Sequence, residues 1–313
     1  MTSLKIAGAG ICCLDYIVVA PTVPPGNTGR VKVFHKQGGG LVATALVACA
    51  RLGAHCELWS LLGDDETGND ILTELNEERV STAGVWRIED GHSPFSFIHV
   101  DAHSGERTIY HRSAQTMHWK RPDEALSEIK GCGALLIDDY FIDLAASAAK
   151  TARKASVPVI ADMIPDSRNK ELLESVDILI APRHFAENLG CQDNPREALD
   201  AIHELGPETA VLTLGADGYV YSDKNGTGGD SAFRVDVVDT TGAGDTFHGA
   251  FAYGTARGWD TPRCCEFAAA AAAIKCTAPG GRTGLPTLHQ TLEFLQQRGA
   301  LGWGSTTNPE KSL

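Results

Sequence analysis

The chain has 313 residues, which at about 150 residues per domain allows two domains or one large one. Hydrophobic residues make up 43% and charged residues 21%, the usage of a globular protein with a sizeable core and not of a disordered chain. Asp and Glu number 40 against 27 Lys and Arg, and the formal net charge of −13 excludes a general grip on nucleic acid or an anionic membrane. Any anion it binds must be held by a local site.

The first apolar run, 4–14, is of the kind a doubly covered central strand shows, and it feeds a loop at Asp15. Asp15 also interrupts the 6–20 stretch that otherwise resembles a signal h-region, and no small-residue cleavage site follows, so a strand is expected there. Residues 16–23 lead into the turn Pro24-Pro25-Gly26-Asn27. Apolar and polar residues alternate over 30–36, 95–100 and 108–110, which predicts strands with one wet face. Between them, 43–52 reads as an Ala-rich helix stopped by Gly53, 57–62 as a strand and 67–78 as a helix. The alternation continues with strands at 134–137, 158–161, 178–180 and 210–214 and helices at 144–154 and 196–205. Repeated strand–helix units predict an α/β fold with a mostly parallel sheet covered on both faces. The one-sided segments, about 15–36 and 92–112, then form a small β-sheet lid over a cleft. Residues 1–302 are expected to be a single domain, and 303–313, which lack periodicity, a flexible tail.

Nine cysteines, an odd number without a C-x-x-C pair, read as reduced and mostly buried thiols, and Cys264-Cys265 in an Ala-rich helix reads as packing. No apolar run approaches the roughly 18 residues of a membrane span. A cytoplasmic protein without nucleic-acid or membrane partners is expected.

The strongest chemical signal is DTTGAGDTFHGAF, 239–251, which follows the strand-like FRVDVV and opens a helical apolar pattern. That places Gly242, Ala243 and Gly244 at a helix N-terminus, where unpaired N–H groups and about half a positive charge favour a phosphate. Asp245 within such a turn weakens anion binding unless it has chemical work. A carboxylate beside a held phosphoryl group can take the proton of an attacking hydroxyl. Capping of the first helical turn is the alternative for a lone G-x-G-D.

The surrounding residues resolve that choice. GGGLVATALVACARLGA (38–54) and DTTGAGDTFHGAF together resemble the two signatures of the ribokinase-like, phosphofructokinase-B type carbohydrate kinases. The similarity runs from Ile6 to about Pro286 through LLGDDETGNDILTEL, VLTLGADGYV and AAAAAAIKCTAPGGRTGLP. This resemblance implies a three-layer αβα sandwich with a β-sheet lid, a kinase that uses ATP and Mg²⁺, and a homodimer clasped through the lid. It implies that Asp245 is the catalytic base and that Gly242, Ala243 and Gly244 form the anion hole. Asp15, Gly39, Gly40 and Thr44 would lie against the sugar, while Thr213, Gly215, Gly218, Ala273 and Gly281 would belong to the nucleotide side. Asp239 falls where some members bind a monovalent cation such as K⁺.

Two departures stand out. Thr44 replaces the family's sugar-binding Asn and offers one hydroxyl in place of an amide's donor and acceptor pair. The N-x-x-E segment linked to metal and phosphates aligns with residues 182–185 and is absent, with Glu187 the nearest carboxylate, so the metal ligands stay undecided. GGG-x-x-ATA and KCTAPGGRTGLP resemble the sulfofructose kinase branch, whereas IAPRHFAENLG and SGERTIYHR resemble ketohexokinases; both phosphorylate a ketose. A sulfonate would need cations over the sugar, for which the lid residues Arg30, Arg107, His111 and Arg112, with Tyr140, are the candidates.

The expected activity is therefore transfer of the γ-phosphoryl group of ATP to a primary hydroxyl of a fructose-like or sulfofructose-like ketose. A sugar- or nucleotide-binding regulator without turnover and a nucleoside kinase are the alternatives on the same fold. Gly8-Ala9-Gly10 lacks the third glycine of a dinucleotide fingerprint, no H-E-x-x-H pair marks a zinc site, and His248 lies one helical turn beyond Asp245.

Overall fold

The computed structural model describes residues 4–24, 26–104, 106–112, 116–166, 168–191, 194–299 and 303. β1 (Lys5–Ala9) opens the body, and the chain then leaves it as β2 (Cys13–Ala20) and β3 (Val33–Gly39). α1 (Leu41–Arg51), β4 (His55–Trp59), β5 (Leu61–Gly63), α2 (Glu66–Glu77), β6 (Val80–Ser81) and β7 (Trp86–Ile88) follow, before β8 (Phe95–Asp101) and β9 (Arg107–Arg112). Next come β10 (Ala134–Asp138), α3 (Ile142–Lys154), β11 (Val159–Asp162), α4 (Lys170–Leu173), β12 (Ile178–Pro182), α5 (Arg183–Asn188), α6 (Pro195–Glu204) and β13 (Thr209–Thr213). The hairpin β14 (Tyr219–Asp223) and β15 (Gly226–Asp230) precedes α7 (Ala243–Ala256), α8 (Thr261–Lys275) and α9 (Leu288–Gln297).

The main sheet runs β15-β14-β13-β12-β11-β10-β1-β4-β6, parallel from β13 to β6 with the hairpin as an antiparallel edge. Its central strands are continuous apolar runs such as Ala134 to Ile137 because helices cover both faces. One core joins the sheet to α1, α7 and α8 through Leu46, Phe251 and Phe267; the other joins it to α3 and α6 through Leu144 and Leu199. A second sheet, ordered β3-β2-β8-β9, is the lid, with β2 starting at Cys13 and β3 running on to Gly39, a few residues beyond the expected 15–36.

α7 carries the glycine-rich turn, and its position is set by close packing. A Cβ on Gly249 would overlap the Ala45 carbonyl, so α7 crosses α1 in backbone contact, and Cys49 Sγ donates to the Gly249 carbonyl at 3.0 Å. Burial of Phe251 and Phe267 adds about 2–3 kcal/mol each to that arrangement.

The structure departs from the sequence expectations in four places. Asp15 lies in the lid strand β2 and not in a loop, because the chain changes sheets at residues 10–12. There the Asp138 carboxylate occupies the space where Gly10 would carry a side chain and accepts the Ile11 N–H at 2.8 Å, replacing the ladder bond. The expected strand at 57–62 divides at Ser60 into β4 and β5. FRVDVV forms no strand: Val238 and Asp239 donate their N–H groups to the Cys276 carbonyl at the end of α8, and Phe233 packs edge-on against Phe294. Trp303, expected in the tail, is buried edge-on to Trp259 at 5.2 Å and donates to Glu266 at 2.7 Å. Residues 304–313, with Pro25 and Gly105 of the quoted motifs, lie outside the described residues.

Candidate active site

Gly242 caps α7 in the left-handed conformation, φ 76°, and a Cβ there would lie 2.5 Å from the Gly281 carbonyl oxygen, so the position requires glycine twice over. Ala243 turns its N–H back to the Thr240 carbonyl at 3.1 Å, and the first helical bond runs from Thr246 N–H to Gly242 at 2.9 Å. The amides of Gly244 and Asp245 are thus left without an acceptor inside the helix, and Gly244 faces open space. Of the expected anion hole, Gly244 and Asp245 present amides, while Gly242 and Ala243 shape the turn. Asp239 braces it: Oδ1 accepts from Thr241 N–H at 2.9 Å and Thr241 Oγ1 at 2.7 Å, and Oδ2 accepts from Gly280 N–H at 2.8 Å. Buried Lys275 donates to the Asp239 carbonyl at 2.8 Å.

A cavity of about 540 Å³ runs from the end of β13 to this turn. Thr213, Gly215, Gly218 and Ala273, the residues the resemblance assigns to the nucleotide side, all line it, and Ala243 and Gly244 line it too. Gly281 does not line this cavity but lies beneath the turn against Gly242, because Gly280 is tied to Asp239. Val237 and Phe247 are wall residues the sequence reading missed; Val237 sits in the segment read as a strand.

On the opposite side, Asp15 projects from β2 against Gly39, where any Cβ would lie 2.8 Å from the Asp15 Cγ. Gly40, φ 93°, brings the start of α1 within a Cβ distance of 2.5 Å of the Ile11 carbonyl oxygen. The structure brings these three positions together. Thr44 is not part of that surface: it is 2% exposed, and its hydroxyl accepts from Arg282 Nε at 3.2 Å, behind the glycine wall. A second cavity, about 1070 Å³, is lined by Leu41 at the start of α1 and by His111, Tyr140, Asp139, Asp162, Arg168 and His184 among others, but not by Asp15, Gly39 or Gly40 themselves. Arg30 is exposed between β2 and β3 and lines neither cavity. Arg112 is consumed structurally, donating to the Ser93 carbonyl at 2.7 Å and lying over the Phe95 ring. The Arg107 side chain lies outside the described residues.

Carboxylates dominate the floor. Burial, then the charge of Asp162, pushes Asp245 well above the usual carboxylate range, and the Arg282 guanidinium opposes both. Asp162, at the end of β11, is itself raised by burial and steadied by His248, whose Nδ1 lies 3.4 Å from Asp162 Oδ2. The His248 nitrogens hydrogen-bond with the Gly244 and Ile180 carbonyls at 2.8 and 3.1 Å, so it supports the turn from below and does not itself reach into the cleft. Burial raises Asp138 to about 7 against two N–H donors, Ile11 and Tyr140. Burial also raises Asp15, opposed by Ser96, Cys13 and Arg282. Arg282, Asp138 and Asp162 went unassigned in the sequence; their signal was only that each ends a strand or a glycine-rich loop. Among the described residues no group of three or more His, Cys, Asp or Glu is disposed to hold a metal, and exposed Glu187 lines neither cavity.

Nothing among the described residues is a helix long and apolar enough to cross a membrane. The family model described as pfkB family carbohydrate kinase matches residues 3–288. A ribokinase of Haemophilus influenzae is 30% identical over 295 residues, covering 90% of this chain and 95% of that protein. A 2-dehydro-3-deoxygluconokinase of Thermoproteus tenax is 29% identical, covering 88% and 90%. The structure of Arabidopsis thaliana ribokinase complexed with ribose and ATP superposes with a TM-score of 0.86 at 25% identity, covering 94% of this chain and 99% of that one. With Asp245 following the glycine-rich turn that closes the first cavity, and with the match over nearly the whole chain, the chain belongs to the pfkB family of carbohydrate kinases, ATP-dependent phosphotransferases that act on sugar hydroxyls.

Proposed function

We propose that the acceptor is an uncharged furanose-form ketose, fructose-like, whose primary hydroxyl takes the γ-phosphoryl group of ATP with Asp245 as the base. One observation carries this reading: Asp245 stands where the donor cavity ends at Gly244 and where Asp162, from the wall of the second cavity, acts on its charge. Asp15, Gly39 and Gly40 orient the sugar, and the lid bearing Asp15 shields the transferring group from water. Asp245 takes the hydroxyl proton as the oxygen attacks in line, and the Gly244 and Asp245 amides receive the charge that builds on the phosphoryl oxygens. A raised proton affinity suits that base, provided Arg282 keeps part of it ionised.

Mg²⁺, which neutralises phosphate charge when bound, fits this donor set as an ion arriving with ATP. Of the carboxylates that line the second cavity, Asp139, Asp143, Asp162 and Asp166, Asp162 is the one whose charge acts on Asp245 and would lie toward such an ion, with phosphate and water supplying further oxygens. The Asp239 carboxylate already takes three donors and its carbonyl an ammonium, so the reading carries no K⁺ requirement there.

An uncharged acceptor follows from the cations. Arg30 and Arg112 do not line the cleft, Arg168 is already paired with Asp166 and Asp139, and among the described side chains of the lid candidates His111 is the one beside the cavity. The alternation of β3, β8 and β9 leaves Phe34, Phe97 and Tyr110 at 57%, 40% and 64% exposure, which supports a homodimer through the lid; sedimentation of Phe34→Ser against wild type tests it.

The test of function is ADP release with ATP and fructose, sulfofructose, ribose, tagatose and 2-keto-3-deoxygluconate. Fructose or tagatose is expected to turn over fastest. Ribose is the second reading, favoured by the ribokinase relatives, and adenosine tests the nucleoside alternative. Ligand binding without ADP release for every acceptor contradicts the kinase and favours a regulator.

A further inference from the structure

The loop after α8 crosses from the donor half of the cleft to the acceptor half within three residues. Gly280 donates its N–H to Asp239, Gly281 lies against Gly242 beneath the anion turn, and Arg282 then sends its side chain into the body at 3% exposure. There Nη2 donates to the Gly39 carbonyl at 2.9 Å, Nε to Thr44 Oγ1 at 3.2 Å, and Nη1 pairs with Glu74 of α2. A side chain at 38 would have to displace the Glu74 carboxylate and the Arg282 guanidinium, which fill that space. The Arg282 carbonyl is in turn held by Arg51 Nη1 at 2.9 Å, and Arg51 pairs with Glu78, so the loop is braced from both ends.

A buried guanidinium tied only to structure would be matched by its own ion pair. This one is surrounded by more negative charge than Glu74 supplies. Asp15 of β2 and Asp245 of α7 both feel its field, while Asp138 of β10 and Asp162 of β11 push Asp245 the other way and His248 of α7 faces Asp162. Thr44, the residue that stands where the family has a sugar-binding Asn, spends its hydroxyl on orienting this guanidinium.

Resting on the kinase reading above, we propose that Arg282 is the positioning residue that couples the two halves of the cleft. It fixes the Gly39 peptide against which the sugar lies, and it places one buried positive charge between the Gly39 wall that meets Asp15 and the loop that underlies the turn carrying Asp245. Thr44 and Glu74 hold it in that orientation. Sugar recognition in this chain therefore runs through a buried arginine behind the glycine wall, in place of an amide in front of it.

The experiment is the pH dependence of kcat/KM, with the best sugar of the wild-type screen, for Arg282→Met, Arg282→Lys and Thr44→Val, alongside thermal unfolding and ATP affinity. In Arg282→Met the acid limb moves up by about one pH unit or more, the loss at pH 7 is about 10²-fold and much of it is regained at high pH. Arg282→Lys keeps the limb close to wild type but raises the sugar KM about tenfold, since an ammonium cannot span Gly39, Thr44 and Glu74 together. Thr44→Val raises the sugar KM severalfold without moving the limb. A structural role alone lowers the unfolding temperature and leaves limb and KM where they were, and that result overturns the proposal. If Arg282→Met does not fold, the KM and limb of Arg282→Lys decide by the same criteria. Wild-type protein that phosphorylates no sugar overturns the kinase reading itself; active wild type with an unmoved limb overturns the role of Arg282 alone.

Discussion

His248 Nδ1 lies 3.4 Å from Asp162 Oδ2, so the strongest negative charge acting on Asp245 is partly answered from within the helix that carries Asp245. The pair sets how readily the base ionises. Removing the negative charge by Asp162→Asn lets Asp245 ionise more easily, so the acid limb of kcat/KM moves to lower pH, by about one unit, whatever happens to the plateau. A pH–rate profile checks this, and an upward shift contradicts the arrangement.

The turn itself admits one residue type. In Gly242→Ala the side chain meets the Gly281 carbonyl and the left-handed φ costs about 1–2 kcal/mol. We expect kcat to fall about tenfold or more with the sugar KM unchanged, because the displaced amides face the phosphoryl group and not the sugar. Steady-state kinetics separate the two parameters, and a change confined to the sugar KM speaks against the geometry.

Much of this was legible from residue order. The alternating strands and helices gave the parallel sheet, and GAGD gave the glycine-rich turn at a helix start, because both depend on local patterns. Asp15, Gly39 and Gly40 were legible only through family resemblance, since their meeting requires β2 and β3 to pair across the lid. Thr44 was misplaced because a small polar residue near a glycine wall carries no sign of which side it faces; the partner, Arg282, lies 238 residues away. FRVDVV alternates like a strand, yet the N–H of its last residue, Val238, goes to the end of α8, a tertiary override of propensity. Trp303 follows a stretch without periodicity, and its pocket between Trp259 and Phe267 is invisible to local pattern.

Asp138 links the cleft to stability. Burial raises it to about 7, so the folded chain holds a proton that the unfolded chain releases near 3.9. Its contribution is complete below about pH 4 and is lost as the pH climbs to about 7. Between pH 5 and 8 the stability of wild type relative to Asp138→Asn should therefore fall by on the order of 2 kcal/mol. Urea denaturation at the two pH values measures it, and a constant difference contradicts it.

Monovalent ions test the brace under the turn. With the Asp239 carboxylate bonded to Thr241 and Gly280 and its carbonyl to Lys275, turnover is expected at the same rate with and without K⁺. A strict K⁺ requirement in the ADP-release assay contradicts this account of Asp239.

The most direct measurement is single-turnover phosphoryl transfer by Asp245→Asn with ATP binding measured on the same protein. The account predicts a rate lower by about 10³–10⁴-fold with ATP affinity within about threefold of wild type. Transfer at a near-normal rate in that variant contradicts the assignment of Asp245 as the base.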